Sequence, residues 1–261
     1  MPLISCMLTA AVLAAGAAVY SGCGKGLLTD KDVLAMTGLF VASNYDSMIY
    51  AETGLVTYWR FEEEGGVSYG SNVPGGYGCV LMPSGDVVLS GGAVAKTLET
   101  NRAITINVGG SVGCAYTNSF STSPFSVEFW VKKSGACAGS TMFYFFSGPT
   151  AFYAGCDGAN NNYLFFDLDD GADEAFLDAP RTMNDGLWHH IVTVRNEWDS
   201  SIFLDGVNIG NAVASPAIPS LSPATISIGN DTFSIDEFAI YNTALSSERV
   251  STHYRVGKGW Q

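Results

Sequence analysis

From Leu55 onward the sequence alternates apolar and polar residues with a period of two, and this limits the fold more than any other feature. FSVEFWVKK (125–133) places Phe125, Val127, Phe129 and Val131 on one face and Ser126, Glu128, Trp130 and Lys132 on the other, because successive strand side chains point to opposite sides. AITINV (103–108), NYLFFDL (162–168), SSIFLDG (200–206), ATISIGN (224–230) and FSIDEFAIY (233–241) repeat the form, with Gly, Pro, Asn or Asp between them. Strands of this number and spacing predict an all-β, two-sheet antiparallel sandwich. Alternation falters where central strands are covered on both faces. Thirty glycines and twelve tyrosines fit many short strands joined by tight turns.

The amino-terminal part reads differently. ISCMLTAAVLAAGAAVY (4–20) is apolar and uncharged, at the lower edge of what spans a bilayer as a helix. Residues 1–22 are expected as an apolar helix that anchors in a membrane or packs against other subunits of an assembly. A signal-like segment and a small helix docked on its own domain remain open, although MPLIS lacks the Lys or Arg of a secretory signal. Residues 23–54 are expected as a short helical linker. Thr29 and Asp32 form a capping box there, and Val33, Leu34, Met36, Phe40 and Val41 fall near helical spacing.

Twenty-five acidic residues against twelve basic ones give a formal charge of −13, with no Lys/Arg cluster to meet phosphates. A nucleic-acid partner is therefore not expected. Acidity of this degree suits a solvated extracellular or particle-surface protein, or one that holds a divalent cation.

None of the six cysteines forms a C-x-x-C unit, which argues against a structural zinc site. Cys137 and Cys156 flank STMFYFFSGPTAFYAG (140–155), whose folding as a hairpin would bring its ends together into a disulfide. Cys79 with Cys114 then follows by elimination; buried free thiols are the alternative for both pairs.

On a strand, Trp188, His190, Val192 and Val194 point one way, and His189, Ile191, Thr193 and Arg195 the other. Two histidines on opposite faces make poor co-ligands. One imidazole is expected to be hydrogen-bonded within the sandwich and the other to lie on the opposite face. Asp236 falls on the face of Phe238 and Ile240, where an ionised carboxylate needs a partner. The six acids of FFDLDDGADEAFLD (165–178) read as a solvated turn between strands rather than an ion site. Tyr153, Asp157, Asn160, Asn161, Asn162 and Tyr163 combine aromatic, amide and carboxylate groups and are the candidate ligand-binding residues, a plain polar hairpin being the alternative. Trp198 and Trp260 are either exposed platforms or packing residues. No E-x-D-x-x-E string and no serine partner for His253 are present, so an enzyme is not expected and no residue is assigned as catalytic.

LVTYWRFEEEGG (55–66), FSVEFWVKKSG (125–135), DGLWHHIVTVRNEWDSSIFLDGVNIGN (185–211), ISIGN (226–230) and FSIDEFAIYNTALSSERVSTHY (233–254) together resemble the successive signatures of the laminin-G-like, concanavalin A-like lectin-glucanase family. The resemblance implies a jelly-roll sandwich over residues 55–261, with a short helix in ALSSERVSTHY (244–254). It also implies a structural calcium between the first and last strands, held by Glu62 or Glu63 and by Asp236, with carbonyls and water completing the shell. Specialised surface is expected in 67–102 and 134–182, which depart most from the family pattern.

Lectins, adhesion modules, glycosidases and structural domains share this fold. The expectation is a non-catalytic recognition or attachment protein for a glycan or cell-surface ligand, displayed on the extracellular face of a cell or on a virus particle through residues 1–22. The competing expectation is a purely structural subunit of a virion or other surface assembly. A glycosidase is a distant third.

Overall fold

The computed structural model describes residues 11–12, 18–19, 44–64, 68–73, 80–94, 101–116, 124–137, 140–147, 150–160, 162–169, 174–197, 199–213, 224–229 and 231–259. The chain divides into two units, Met1–Val41 and Ala42–Gln261.

In the first unit, β1 (Ala11–Val12) pairs antiparallel with β2 (Ala18–Val19), Ala11 opposite Val19. These four residues are extended where an apolar helix was expected. The rest of 1–22, and the capping box at Thr29 and Asp32, lie outside the described residues. No helix among the described residues is long and apolar enough to cross a membrane.

The second unit opens with helix α1 (Asn44–Tyr50), at the end of the expected linker, and continues as the two-sheet sandwich. One sheet runs in the order β12 (Glu174–Ala179), β11 (Tyr163–Asp169), β10 (Thr150–Asp157), β9 (Ser140–Ser147), β16 (Ala224–Gly229), β7 (Ser111–Tyr116), β4 (Met82–Ser84). The other runs β15 (Val207–Val213), β14 (Asp199–Leu204), β13 (Asp185–Asn196), β8 (Phe125–Ser134), β17 (Phe233–Tyr241), β6 (Arg102–Ile106), β5 (Val87–Gly91), with β3 (Leu55–Trp59) also paired to β17. Neighbouring strands pair antiparallel throughout, and sequence-distant ones such as β8 and β17 lie side by side.

The period-two pattern of β8 is realised. Phe125, Val127, Phe129 and Val131 enter the core between the sheets, and Trp130 enters a second apolar layer behind the eight-stranded sheet. Aromatic rings fill the space between the sheets: Phe129 meets Phe143 of the opposite sheet edge-on at 5.1 Å and stacks on Phe238 of its own sheet at 5.6 Å, and Phe152 meets Phe166 within the seven-stranded sheet at 4.8 Å. Each such buried ring contributes about 1.5–3 kcal/mol.

The second layer is made by α1 and by α2 (Ser247–Gly257), the helix expected in 244–254. Ser246 caps α2, its hydroxyl accepting from the Arg249 N–H at 3.2 Å. Tyr45, Ile49 and Val250 from the two helices pack with Tyr58, Trp130, Val192 and Tyr241 from the sheet.

β17 departs from simple alternation. Its register on β8 shifts between Asp236 and Ala239, and Glu237 sits at φ +52°. This bulge puts Ile235 and Phe238 on the same side, in the core, although they are three residues apart. Asp236 therefore does not share a face with Phe238 and Ile240 as strict alternation predicted.

The disulfide between Cys137 and Cys156 is present, closing the β9–β10 hairpin with a Cα–Cα distance of 5.8 Å. Cys79 lies outside the described residues, so its expected pairing with Cys114 does too.

Candidate functional site

The histidines occupy opposite faces of β13, as alternation required. His189 Nδ1 lies 2.8 Å from Asp205 Oδ2, and its Nε2 lies 3.0 Å from Asp185 Oδ1. The hydrogen bond with Asp205 is the main reason its pKa is raised; burial opposes that shift, and Asp185 reinforces it. Asp205 opens the LDG turn, with φ +51° followed by +76° at Gly206, the two left-handed residues that a tight hairpin turn requires. Its other oxygen accepts the His190 N–H at 2.9 Å. WHH and LDG are thus two halves of one clamp.

His190 faces α2 and is fully buried, its Nε2 2.7 Å from Glu128 Oε1. Glu128 also binds His253 Nδ1 at 2.9 Å and accepts from the hydroxyls of Tyr241 at 2.7 Å and Tyr45 at 3.2 Å. His253 Nε2 continues to Glu52 Oε1 at 2.9 Å, and Glu52 also pairs with Arg249. Burial alone would raise the Glu128 pKa, but attraction to His253 and hydrogen bonds from His190 and His253 hold it well below the carboxylate range. The cluster resembles acid–base machinery in composition only. Glu128, His190 and His253 are sealed from solvent between sheet and helix, so their chemistry fastens α2 and α1 to the strands.

The carboxylates suggested for calcium take separate partners. Glu62 Oε2 accepts from Arg102 N at 3.2 Å, and Glu63 Oε1 from Gly70 N at 3.2 Å. Asp236 accepts from Ala93 N at 2.8 Å and Glu237 N at 2.9 Å. Among the described residues no three His, Cys, Asp or Glu groups are placed to share an ion. A six- to eight-oxygen shell is not what these residues fit. The fully buried Asp236 instead fastens residue 93 to the bulge.

Four of the six candidate ligand residues, Asp157, Asn160, Asn162 and Tyr163, lie at the end of the β10–β11 hairpin; Asn161 lies outside the described residues. Asp157 closes the turn, its carbonyl accepting from Asn162 N at 2.8 Å and its Oδ1 from Ala159 N at 2.8 Å. Asn162, at φ +62°, accepts from Cys137 N at 2.7 Å through Oδ1, and the Asn160 amide donates to Asp178. Tyr153 sits further along β10, its hydroxyl donating to Asp169 at 3.4 Å. These polar groups mostly tie the hairpin to its neighbours. The acids of 165–178 fall mainly on β11 and β12, the turn itself lying outside the described residues.

An open concavity lies elsewhere, and sequence reasoning missed it. An open groove of about 680 Å³ runs over the outer face of β13, β14 and β15 to the start of α2. Val194, Phe203, Ala212, Ala244 and Leu245 form its apolar part; Asn196, Asp199, Ser201, Asn208, Asn211, Ser246 and Ser247 supply amides, hydroxyls and one carboxylate. Asn211 Oδ1 accepts from Ser201 Oγ and from Asn208 Nδ2, both at 2.8 Å, while Asn208 Oδ1 accepts from Gly210 N at 3.1 Å. The network orients the amides on this face. The available signal was the outward parity of Asp199 and Ser201 on β14, polar positions on a face otherwise covered by helices. Trp198 and Trp260 lie outside the described residues.

Residues 107–251 match the family model of the concanavalin A-like lectin/glucanases superfamily. No curated protein matches the chain. Among solved structures the chain is similar to the binding domain of botulinum neurotoxin DC in complex with SialylT, at 14% identity and TM-score 0.63 over 79% of this chain and 52% of that one. It is similar also to the binding domain of Paraclostridial Mosquitocidal Protein 1, at 14% identity and TM-score 0.62 over 77% and 52%. A botulinum neurotoxin type C structure, from work on cell entry dependent upon interaction with two ganglioside molecules, aligns at 14% identity and TM-score 0.63 over 82% and 52%. The chain spans about half the length of these proteins. At such identities the likeness is one of fold.

Proposed function

The chain belongs to the concanavalin A-like lectin/glucanases superfamily, and on that premise we propose that it is a non-catalytic carbohydrate-binding protein. The groove beside α2 carries the reading. Its amides and hydroxyls are held in place around an apolar floor, the combination that a sugar with polar edges and C–H faces requires. The similar solved structures are binding domains, one of them in complex with SialylT, which supports recognition over catalysis. The acid and histidines that could have served chemistry are sealed behind α2.

Attachment at a surface is part of the proposal. The uncharged apolar run 4–20 is suited to hold the sandwich to a membrane or to other subunits, on the extracellular face of a cell or on a virus particle. The disulfide between Cys137 and Cys156 suits an oxidising compartment.

The full chain on a glycan array, followed by titration of the retained sugars, tests the reading. Saturable retention of defined glycans, with no hydrolysis product, is the expected result. Retention of none, or release of shortened sugar, overturns it.

A further inference from the structure

We propose that the groove beside α2 takes an uncharged, hydroxyl-rich saccharide and discriminates against anionic glycans, an inference that rests on the carbohydrate-binding reading above. The charge of the lining points this way. Asp199 is the one ionisable side chain among the described groove residues, and no Lys or Arg among them meets a carboxylate or sulfate. The nearest arginines along the same elements are occupied: Arg195 donates to Ser200 at 3.2 Å, and Arg249 pairs with Glu52. The positive end of α2 opens near Ser246 and Ser247, but Glu248 occupies its first turn. A net charge of −13 adds long-range repulsion of anions.

The polar atoms are matched to hydroxyls. Because Asn211 Oδ1 already accepts from Ser201 and Asn208, the Nδ2 hydrogens of Asn211 are the ones left to donate to a ligand oxygen. Asp199 is exposed and can accept from two adjacent hydroxyls, and Phe203 and Leu245 lie beneath for the apolar face of a pyranose.

The test titrates the full chain with neutral oligosaccharides and with their sialylated and sulfated counterparts, alongside Asn211→Ala and Asp199→Asn, melting temperature being followed for each variant. Neutral sugars are expected to bind about tenfold more weakly to Asn211→Ala, the loss of one hydrogen bond. Sialylated forms are expected to bind about tenfold more weakly than their neutral parents to the native protein, and Asp199→Asn to narrow that gap. Tighter binding of the anionic forms, or neutral binding unaffected by both substitutions, overturns the inference while carbohydrate recognition stands. Absence of binding by every sugar overturns both.

Discussion

Glu128 Oε1 lies 2.7 Å from His190 Nε2, across adjacent central strands, with neither side chain exposed to solvent. The same carboxylate gathers His253, Tyr45 and Tyr241, so removing it leaves four buried polar groups without their acceptor. Glu128→Ala is expected to cost about 3–5 kcal/mol in urea unfolding, as for other broken buried ion pairs. A loss below about 1 kcal/mol would remove the cluster from its role as fastener.

The same residue sets the acid limit of stability. Its folded pKa is held far below the ordinary 4.5, so its contribution is complete above that value and is lost as pH falls toward the folded one. Unfolding midpoints of the native protein should therefore decline steadily below about pH 4.5. In Glu128→Gln that part of the decline should disappear.

His189 has the opposite sign. Its pKa is raised above the ordinary 6.5, chiefly by the hydrogen bond with Asp205, so its contribution is full below that value and is lost as pH rises through the folded pKa. Melting temperature should fall on the alkaline side of pH 6.5 in the native protein, and that component should be absent from His189→Gln. Identical pH profiles for the two proteins would refute the Asp205 clamp.

Gly257 lies against the sheet at the end of α2. A Cβ there would lie 2.4 Å from Trp130 Cζ2 and 3.2 Å from Tyr45 Cε2. Gly257→Ala should cost about 1–3 kcal/mol by forcing helix or indole to move. Near-ultraviolet circular dichroism should change with it, since Trp130 is the fully buried indole at that contact.

The disulfide between Cys137 and Cys156 closes a loop with a sequence separation of 19. Loop-closure entropy predicts about 3 kcal/mol of stabilisation, so the double Cys→Ser variant should lose that amount and become insensitive to reductant. Reductant sensitivity that survives the substitution would point to another disulfide.

Strand faces were legible wherever the ladder is regular. β8, and β13 from Trp188 onward, follow their period-two pattern residue by residue, and the Cys137–Cys156 pairing followed from a hairpin visible in sequence. Asp236 was misplaced because the bulge at Glu237 inserts a residue that alternation cannot register. Backbone N–H groups of the bulge and of residue 93 take up the Asp236 carboxylate, an arrangement that alternation alone does not reveal.

By itself, the sequence determined the faces of the regular strands and the two-sheet class, because alternation and turn residues depend on neighbours within a few positions, while the closing helix came from the family resemblance. Tertiary structure alone decided that Glu128 would meet His253, 125 residues away, and that Asn211 and Asp199 would share a groove with Ser246. Those encounters depend on strand order and helix placement, which arise from burying the whole apolar surface at once and leave no periodic trace along the chain.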